Sequence, residues 1–266
     1  MKALTLAFAT LVAASVPALA DDLSEPVAPV KQSWSFDGPF GMYDREQLQR
    51  GFQVYKEVCS ACHSLNRVSF NDLSYENGGT GMFSTAQAKA IAASYKLPAG
   101  PNDKGETTDD KGNPLMRPGI LADHFPPPFP NEEAARASNG GALPPDQSLL
   151  VKAREGGADY IYSIVVGDGE KPPHGFKVID GKYYDEYFAG RDISMPPPLR
   201  DNAVTYADGT KATLDQEARD VTAFLAWASE PKLEQRHRLG FGVMAFMLLL
   251  SGLLYLSYRR VWKDEH

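Results

Sequence analysis

Two apolar runs bracket the chain, and between them apolar residues recur mostly at helical spacing. The first run, Leu4 to Val16, follows Lys2 and precedes Ala18-Leu19-Ala20. The second, Leu239 to Tyr258, carries no charge, and its only serines are Ser251 and Ser257. Between them Asp44 can cap a helix to about Cys59 that places Leu48, Phe52 and Tyr55 on one face. Ser84 or Thr85 can cap an alanine-rich helix to Tyr95, and Asn131 precedes the acidic first turn Glu132-Glu133. Asp146 can open a helix that stops at Gly156-Gly157. Thr213 can cap a helix over 214–229 with Ala218, Val221, Phe224, Leu225 and Ala228 at helical spacing, and Pro231 lies past its end.

Proline interrupts this pattern at 126–128, 144–145, 172–173 and 196–198, which predicts short helices joined by long ordered loops. Ala99 to Pro114 holds almost no apolar residue and reads as a surface loop. Strand signals are few. Phe176–Ile179 and Lys182–Tyr184 suggest a small hairpin around Asp180-Gly181. The expected fold class is mainly α.

The apolar runs set the domain plan. A positive n-region, an apolar core and an A-x-A site in that order predict a signal peptide over residues 1–20. The second run is long enough to cross a bilayer as a helix over 239–258, with Tyr255, Tyr258 and Trp262 at its far interface. Lys232, Arg236 and Arg238 before it balance Arg259, Arg260 and Lys263 after it, so basic residues do not orient the span. The signal peptide does: it predicts an exported domain over 21–238, in the periplasm, and a cytoplasmic tail over 259–266. The expectation is a single-pass protein of the inner membrane.

Charge adds a partner class. The whole chain carries −7; without Lys2 and the net +1 of residues 239–266, the exported domain carries −9. Such a domain repels nucleic acid and attracts basic partners, although solubility alone would also account for it.

The only two cysteines stand in Cys59-Ser60-Ala61-Cys62-His63, the c-type haem attachment spacing. Residues three apart on a helical turn share a face, so both thiols can reach the two vinyl groups of one haem, and the following imidazole projects at the iron. A thioredoxin-like pair would need a βαβ setting, which is not visible, and a zinc site would need about four ligands. A disulfide across two residues also fits an exported protein. Covalent attachment consumes both thiols.

An electron carrier needs a second axial ligand. The candidates in the exported domain are Met42, Met82, Met116 and Met195, with His124, His174 and His237. Met195 stands out in Ile193-Ser194-Met195-Pro196-Pro197-Pro198-Leu199, where proline holds the chain extended and can present a thioether rigidly. A lone methionine is more often core filler, and the spacing leaves the other candidates open.

At this point the residues resemble cytochrome c1, the haem subunit of bacterial ubiquinol–cytochrome c reductase (bc1) complexes. The likeness runs from Arg50-Gly51-Phe52-Gln53-Val54-Tyr55-Lys56 through the haem motif to Ser64-Leu65. It continues in Met116-Arg117-Pro118-Gly119, in 130–137, and in Gly141-Ala142-Leu143-Pro144-Pro145-Asp146. The Met195-Pro196-Pro197 segment, the helix at 213–229 and one C-terminal anchor complete it. The haem motif is generic to c-type cytochromes; the Ala-Leu-Pro-Pro-Asp stretch and its place in the order are specific.

The resemblance implies a class I cytochrome c-like haem domain with long loop insertions, plus one C-terminal transmembrane helix. It implies one covalent haem c on Cys59 and Cys62, with His63 as proximal and Met195 as distal iron ligand. Arg136 matches an arginine that faces a haem propionate; without the resemblance it would be a solvated helix residue. Electrons would pass from a Rieske iron–sulfur protein to this haem and on to a soluble basic c-type cytochrome. The setting is a dimeric multi-subunit complex with cytochrome b in membrane lipid. Some bacterial members carry an additional cysteine pair; here packing and proline must brace the methionine. No general base or nucleophile is evident, so catalysis belongs to the complex. The rival readings are a membrane-anchored shuttle or terminal oxidase subunit, a haem enzyme or gas sensor with an open sixth position, and a non-haem thiol protein.

Overall fold

Helix α1 (Arg45–Glu57) begins where the sequence predicts: the Asp44 carboxylate accepts from the backbone N–H groups of Glu46 and Gln47. A 3₁₀ turn, Cys59–Ala61, continues it directly into the haem motif. The computed structural model describes residues 25–264 other than Asn77 and Asp168. The expected signal peptide lies outside the described residues.

Four more helices build the domain. α2 (Thr85–Ala93) is capped by Ser84, whose hydroxyl accepts from Gln87 N–H in a reciprocal capping box, and it ends two residues before the expected Tyr95. α3 (Glu132–Ser138) is capped by Asn131, α4 spans Gly157–Gly167, and α5 (Leu214–Ser229) is capped by Thr213. α1 and α5 cross at the core. Leu48, Phe52, Val54 and Tyr55 of α1 pack against Val221, Phe224, Leu225 and Trp227 of α5, all nearly inaccessible. Phe52, Phe70, Tyr95, Phe125 and Phe224 add edge and tilted ring contacts at centroid distances of 4.5–6.1 Å. Each such side chain contributes about 1.5–3 kcal/mol by leaving water.

The crossing is close because of one glycine. A Cβ on Gly51 would lie 2.0 Å from the Asp220 carbonyl oxygen and 2.8 Å from Phe224 Cβ. One residue earlier, Arg50 reaches the same helix. Its Nε donates to Asp220 Oδ2 at 2.8 Å, and its Nη1 donates to Asp208 at 3.1 Å. The Asp220 side chain is fully buried, so this pair ties α1 to α5 in a dry setting.

The structure corrects two expectations. Asp146 opens no helix: residues 148–153 form turns, and the helix is α4, which begins at Gly157 where one was expected to stop. Gly156 and Gly157 both take positive φ (83° and 54°), which interrupts any helix arriving there. The hairpin is also different. A turn does form at Asp180-Gly181, with Lys182 N–H donating to Ile179 O. The strand partner of Tyr183–Tyr184 (β3), however, is Asp192–Ile193 (β4), on the other side in sequence. The 99–114 segment is the exposed loop expected, closed at its base by a short antiparallel pair, β1 (Lys96–Pro98) with β2 (Met116–Pro118).

The C-terminal span lies within a longer helix, α6 (Leu233–Val261), which begins six residues before the apolar run. Leu239, Phe241, Met244, Leu248 and Leu254 are exposed on the chain by itself. Among the described residues α6 is the one helix long and apolar enough to cross a membrane. Only Glu230, Pro231 and Lys232 separate it from α5. That joint is braced. Glu230 pairs with Lys152 (2.9 Å) and Arg236 (2.6 Å), Glu234 accepts from Tyr43 N–H, and the Tyr43 hydroxyl donates to Ala226 and Glu230 carbonyls.

Candidate functional site

The site grows from the C-terminal end of α1. Cys62 N–H and His63 N–H both donate to the Cys59 carbonyl, at 3.1 and 2.9 Å, which curls the motif into one tight turn. Neither thiol is in a disulfide; Cys59 is half-buried and Cys62 exposed. Burial, and secondarily Cys62, pushes the Cys59 thiol up to about 12. A thioredoxin-like pair needs a βαβ setting, and among the described residues the sheets are two separate antiparallel pairs.

His63 is oriented from across the site. Its Nδ1 lies 2.8 Å from the Pro145 carbonyl oxygen. A carbonyl only accepts, so Nδ1 carries the proton and Nε2 keeps its lone pair. Burial holds the imidazole pKa below its usual value, opposed by the Pro145 carbonyl and by Asp146. Neutral imidazole with a fixed tautomer is the form that ligates a metal.

The Pro145 carbonyl is held in turn by Asp146. This carboxylate accepts from the Ser64 hydroxyl (2.8 Å), Asn66 N–H (2.8 Å) and Ser148 N–H (2.9 Å). Burial would raise its pKa, but these donors more than reverse that and hold it low. Asp146 thus braces the site rather than opening a helix. The signal was present in the adjacent Pro-Pro-Asp.

Next to the start of the motif, a cleft of about 480 Å³ is lined by Val58, Pro197, Pro198, Leu199, Arg200 and Ala203. Val58 immediately precedes Cys59, and Pro197 lies two residues after Met195. The structure therefore brings the proline-bounded segment against the attachment turn. Met195 is half-buried. Met82 is fully buried in the core, whereas Met42 and Met116 are exposed, as are His124 and His174. Gly169 packs beneath the segment: a Cβ there would lie 2.4 Å from Pro197 Cγ. Arg136 sits exposed on α3, and its guanidinium donates to Gly141 O at 3.2 Å. Arg200 is the guanidinium that the structure places at the cleft.

Two thiols on one turn, an imidazole with a free Nε2 and a mainly apolar cleft fit a covalently attached haem. Residues 34–265 match the Cytochrome C1 family. The chain belongs to that family. It is 47% identical over 249 residues to cytochrome c1 of Rhodospirillum rubrum, covering 88% of this chain and 87% of that protein. It is 45% identical over 226 residues to the mitochondrial cytochrome c1 heme protein of Saccharomyces cerevisiae, covering 85% and 68%. A third relative, cytochrome b/c1 of Bradyrhizobium diazoefficiens, is 47% identical over 256 residues; the match covers 90% of this chain but 36% of that longer protein. Cytochrome c1 proteins carry covalently bound haem c and are electron-transfer subunits of bc1 complexes. In that family setting α6 is a single-pass membrane anchor.

Proposed function

We propose that this chain accepts electrons from a Rieske iron–sulfur protein and delivers them through one haem c to a soluble, basic c-type cytochrome. Cytochrome b would be its neighbour in the membrane and the assembly a dimer. The observation that carries the reading is the His63 Nδ1 to Pro145 contact at 2.8 Å. It frees Nε2 for iron on the turn that also presents Cys59 and Cys62. Bound haem c supplies a one-electron couple. Cys59 and Cys62 would hold the macrocycle as thioethers. His63 would be the proximal ligand and Met195 the distal one, braced by Pro196–Pro198. Arg136 would face a propionate, a role suited to a planar, permanently charged guanidinium.

The same reading assigns residues 1–20 to a signal peptide and 21–238 to a periplasmic domain, with 239–258 spanning the inner membrane and 259–266 in the cytoplasm. The −9 charge of the exported part supports a basic acceptor. Of its acidic residues, Asp109, Asp110, Asp180 and Asp201 are exposed; Asp185 is buried and contributes little to a surface field. Purification in mild detergent tests the proposal. A b-type cytochrome and a Rieske protein should co-purify with the haem-staining chain, and the preparation should reduce cytochrome c with quinol. A chain that purifies alone, or with oxidase subunits, would refute it.

A further inference from the structure

Phe40 is 79% exposed at the tip of a stiff finger, Ser35–Met42. The finger is back-bonded: Asp37 N–H donates to Trp34 O, Gly41 N–H to Gly38 O, and Met42 N–H to Ser35 O at 2.9 Å. Gly38 turns the chain at φ 74°, and Gly41 sits so close to the Phe36 carbonyl that a Cβ would meet it at 2.2 Å. The base is anchored by Trp34 and Phe36, which stack at 5.5 Å inside the core. The finger therefore presents Phe40 and Met42 (62% exposed) rather than letting them fold back.

What Phe40 touches is the anchor. Its ring stacks on Phe241 of α6 at 5.1 Å between centroids and 13° between planes. Phe241 is the third residue of the apolar run Leu239–Tyr258. At 1.5 Å per residue that run is about 30 Å long, matching the hydrocarbon core with little slack. Phe241 must then lie close to the boundary between headgroups and acyl chains, and a ring stacked on it lies at the same depth. Aromatic rings favour that boundary.

We propose that the Ser35–Met42 finger is a second membrane contact of the haem domain, with Phe40 and Met42 seated among lipids at the boundary beside the N-terminal end of α6. This rests on α6 being the anchor. With the joint braced, α6 and the domain can tilt only together; a second contact, carried by the loop at 35–42 about 190 residues before the joint in sequence, restricts that tilt.

The test places a photoreactive p-benzoylphenylalanine at residue 40 in the intact complex in lipid nanodiscs. The same label goes separately at Leu248 and Leu253, which lie about 140° apart around α6. Position 40 is exposed enough to accept the larger ring without unfolding. The expected result is lipid adducts at 40 in yield comparable with the better of the two α6 positions. Lipid adducts on α6 but none at 40 would overturn the finger contact, and so would cross-links from 40 to another subunit. Absence of lipid adducts at all three would refute the anchor itself.

Discussion

His63 Nδ1 and the Pro145 carbonyl oxygen meet at 2.8 Å, and the Asp146 carboxylate holds that carbonyl in place through three donors. Hydrogen bonding at the distant nitrogen makes the ligating nitrogen a stronger donor and stabilises oxidised iron. Asp146→Ala frees the loop. The midpoint potential of the haem should rise, and the domain should lose about 1–3 kcal/mol through unpaired donors. Redox titration and thermal melting of the haem-loaded protein measure both. An unchanged potential would mean that the carbonyl keeps its position without Asp146.

Met195 as distal ligand makes a separate prediction. Met195→Leu removes the thioether with little change in volume. The potential should fall, and the reduced haem should bind carbon monoxide, seen as a Soret shift. A low-spin spectrum indifferent to carbon monoxide would place the ligand elsewhere, with His124 and His174 next to be tested.

The α1–α5 crossing predicts an inverted helix-propensity effect. Alanine usually improves a helix over glycine by about 1 kcal/mol. Gly51→Ala should instead destabilise, because its Cβ meets backbone at 2.0 Å. Arg50→Leu should cost about 3–5 kcal/mol by leaving Asp220 buried and unpaired. Chemical denaturation of the haem-loaded chain gives both values; a stabilised Gly51→Ala would show that the helices can move apart freely.

How much was legible depends on where each element draws its order. α1, α2, α3 and α5 announce themselves through caps at Asp44, Ser84, Asn131 and Thr213, all local interactions. α4 does not. Ala158, Ile161, Tyr162, Ser163 and Ile164 are all buried, so no polar face marks the period, and the paired glycines look like an end. Asp146 looked like a cap because its true partners, Ser64 and Asn66, lie some eighty residues away. The attachment turn was fully legible, since its chemistry is written in five consecutive residues. The cleft was not, because Val58 and Leu199 meet only in the fold.

Asp185 predicts a pH dependence of stability. It is fully buried between α4 and the β3–β4 hairpin. One oxygen accepts from Tyr187 N–H at 2.9 Å and the other has no partner. Burial raises its pKa from 3.8 to about 6. The folded state therefore binds the extra proton between these values. Stability from this group is greatest below pH 3.8 and declines as pH rises through about 6, by roughly 2–3 kcal/mol in all. Asp185→Asn should remove that decline and raise stability at pH 7. Melting curves across pH 4–8 compare the two, and parallel curves would show that Asp185 ionises without penalty.

Cutting the chain after Arg238 keeps the Leu233, Glu234 and Arg236 contacts with the domain, whereas cutting after Lys232 removes them. The longer product should be soluble, haem-loaded and reducible. The shorter one should melt at lower temperature. Equal melting temperatures would show that the first turns of α6 lend the domain nothing.

The braced three-residue joint between α5 and α6 has a mechanical meaning. α6, α5 and, through Gly51, α1 form one lever from the bilayer to the cysteine turn. A rotation of the anchor about its own axis must then carry the Cys59–His63 turn with it, as a shaft carries a dial. The turn so held keeps a fixed height and azimuth relative to the anchor. It behaves as a stator: a distance that has to open and close beside this turn must be travelled by whatever docks there, not by the turn itself.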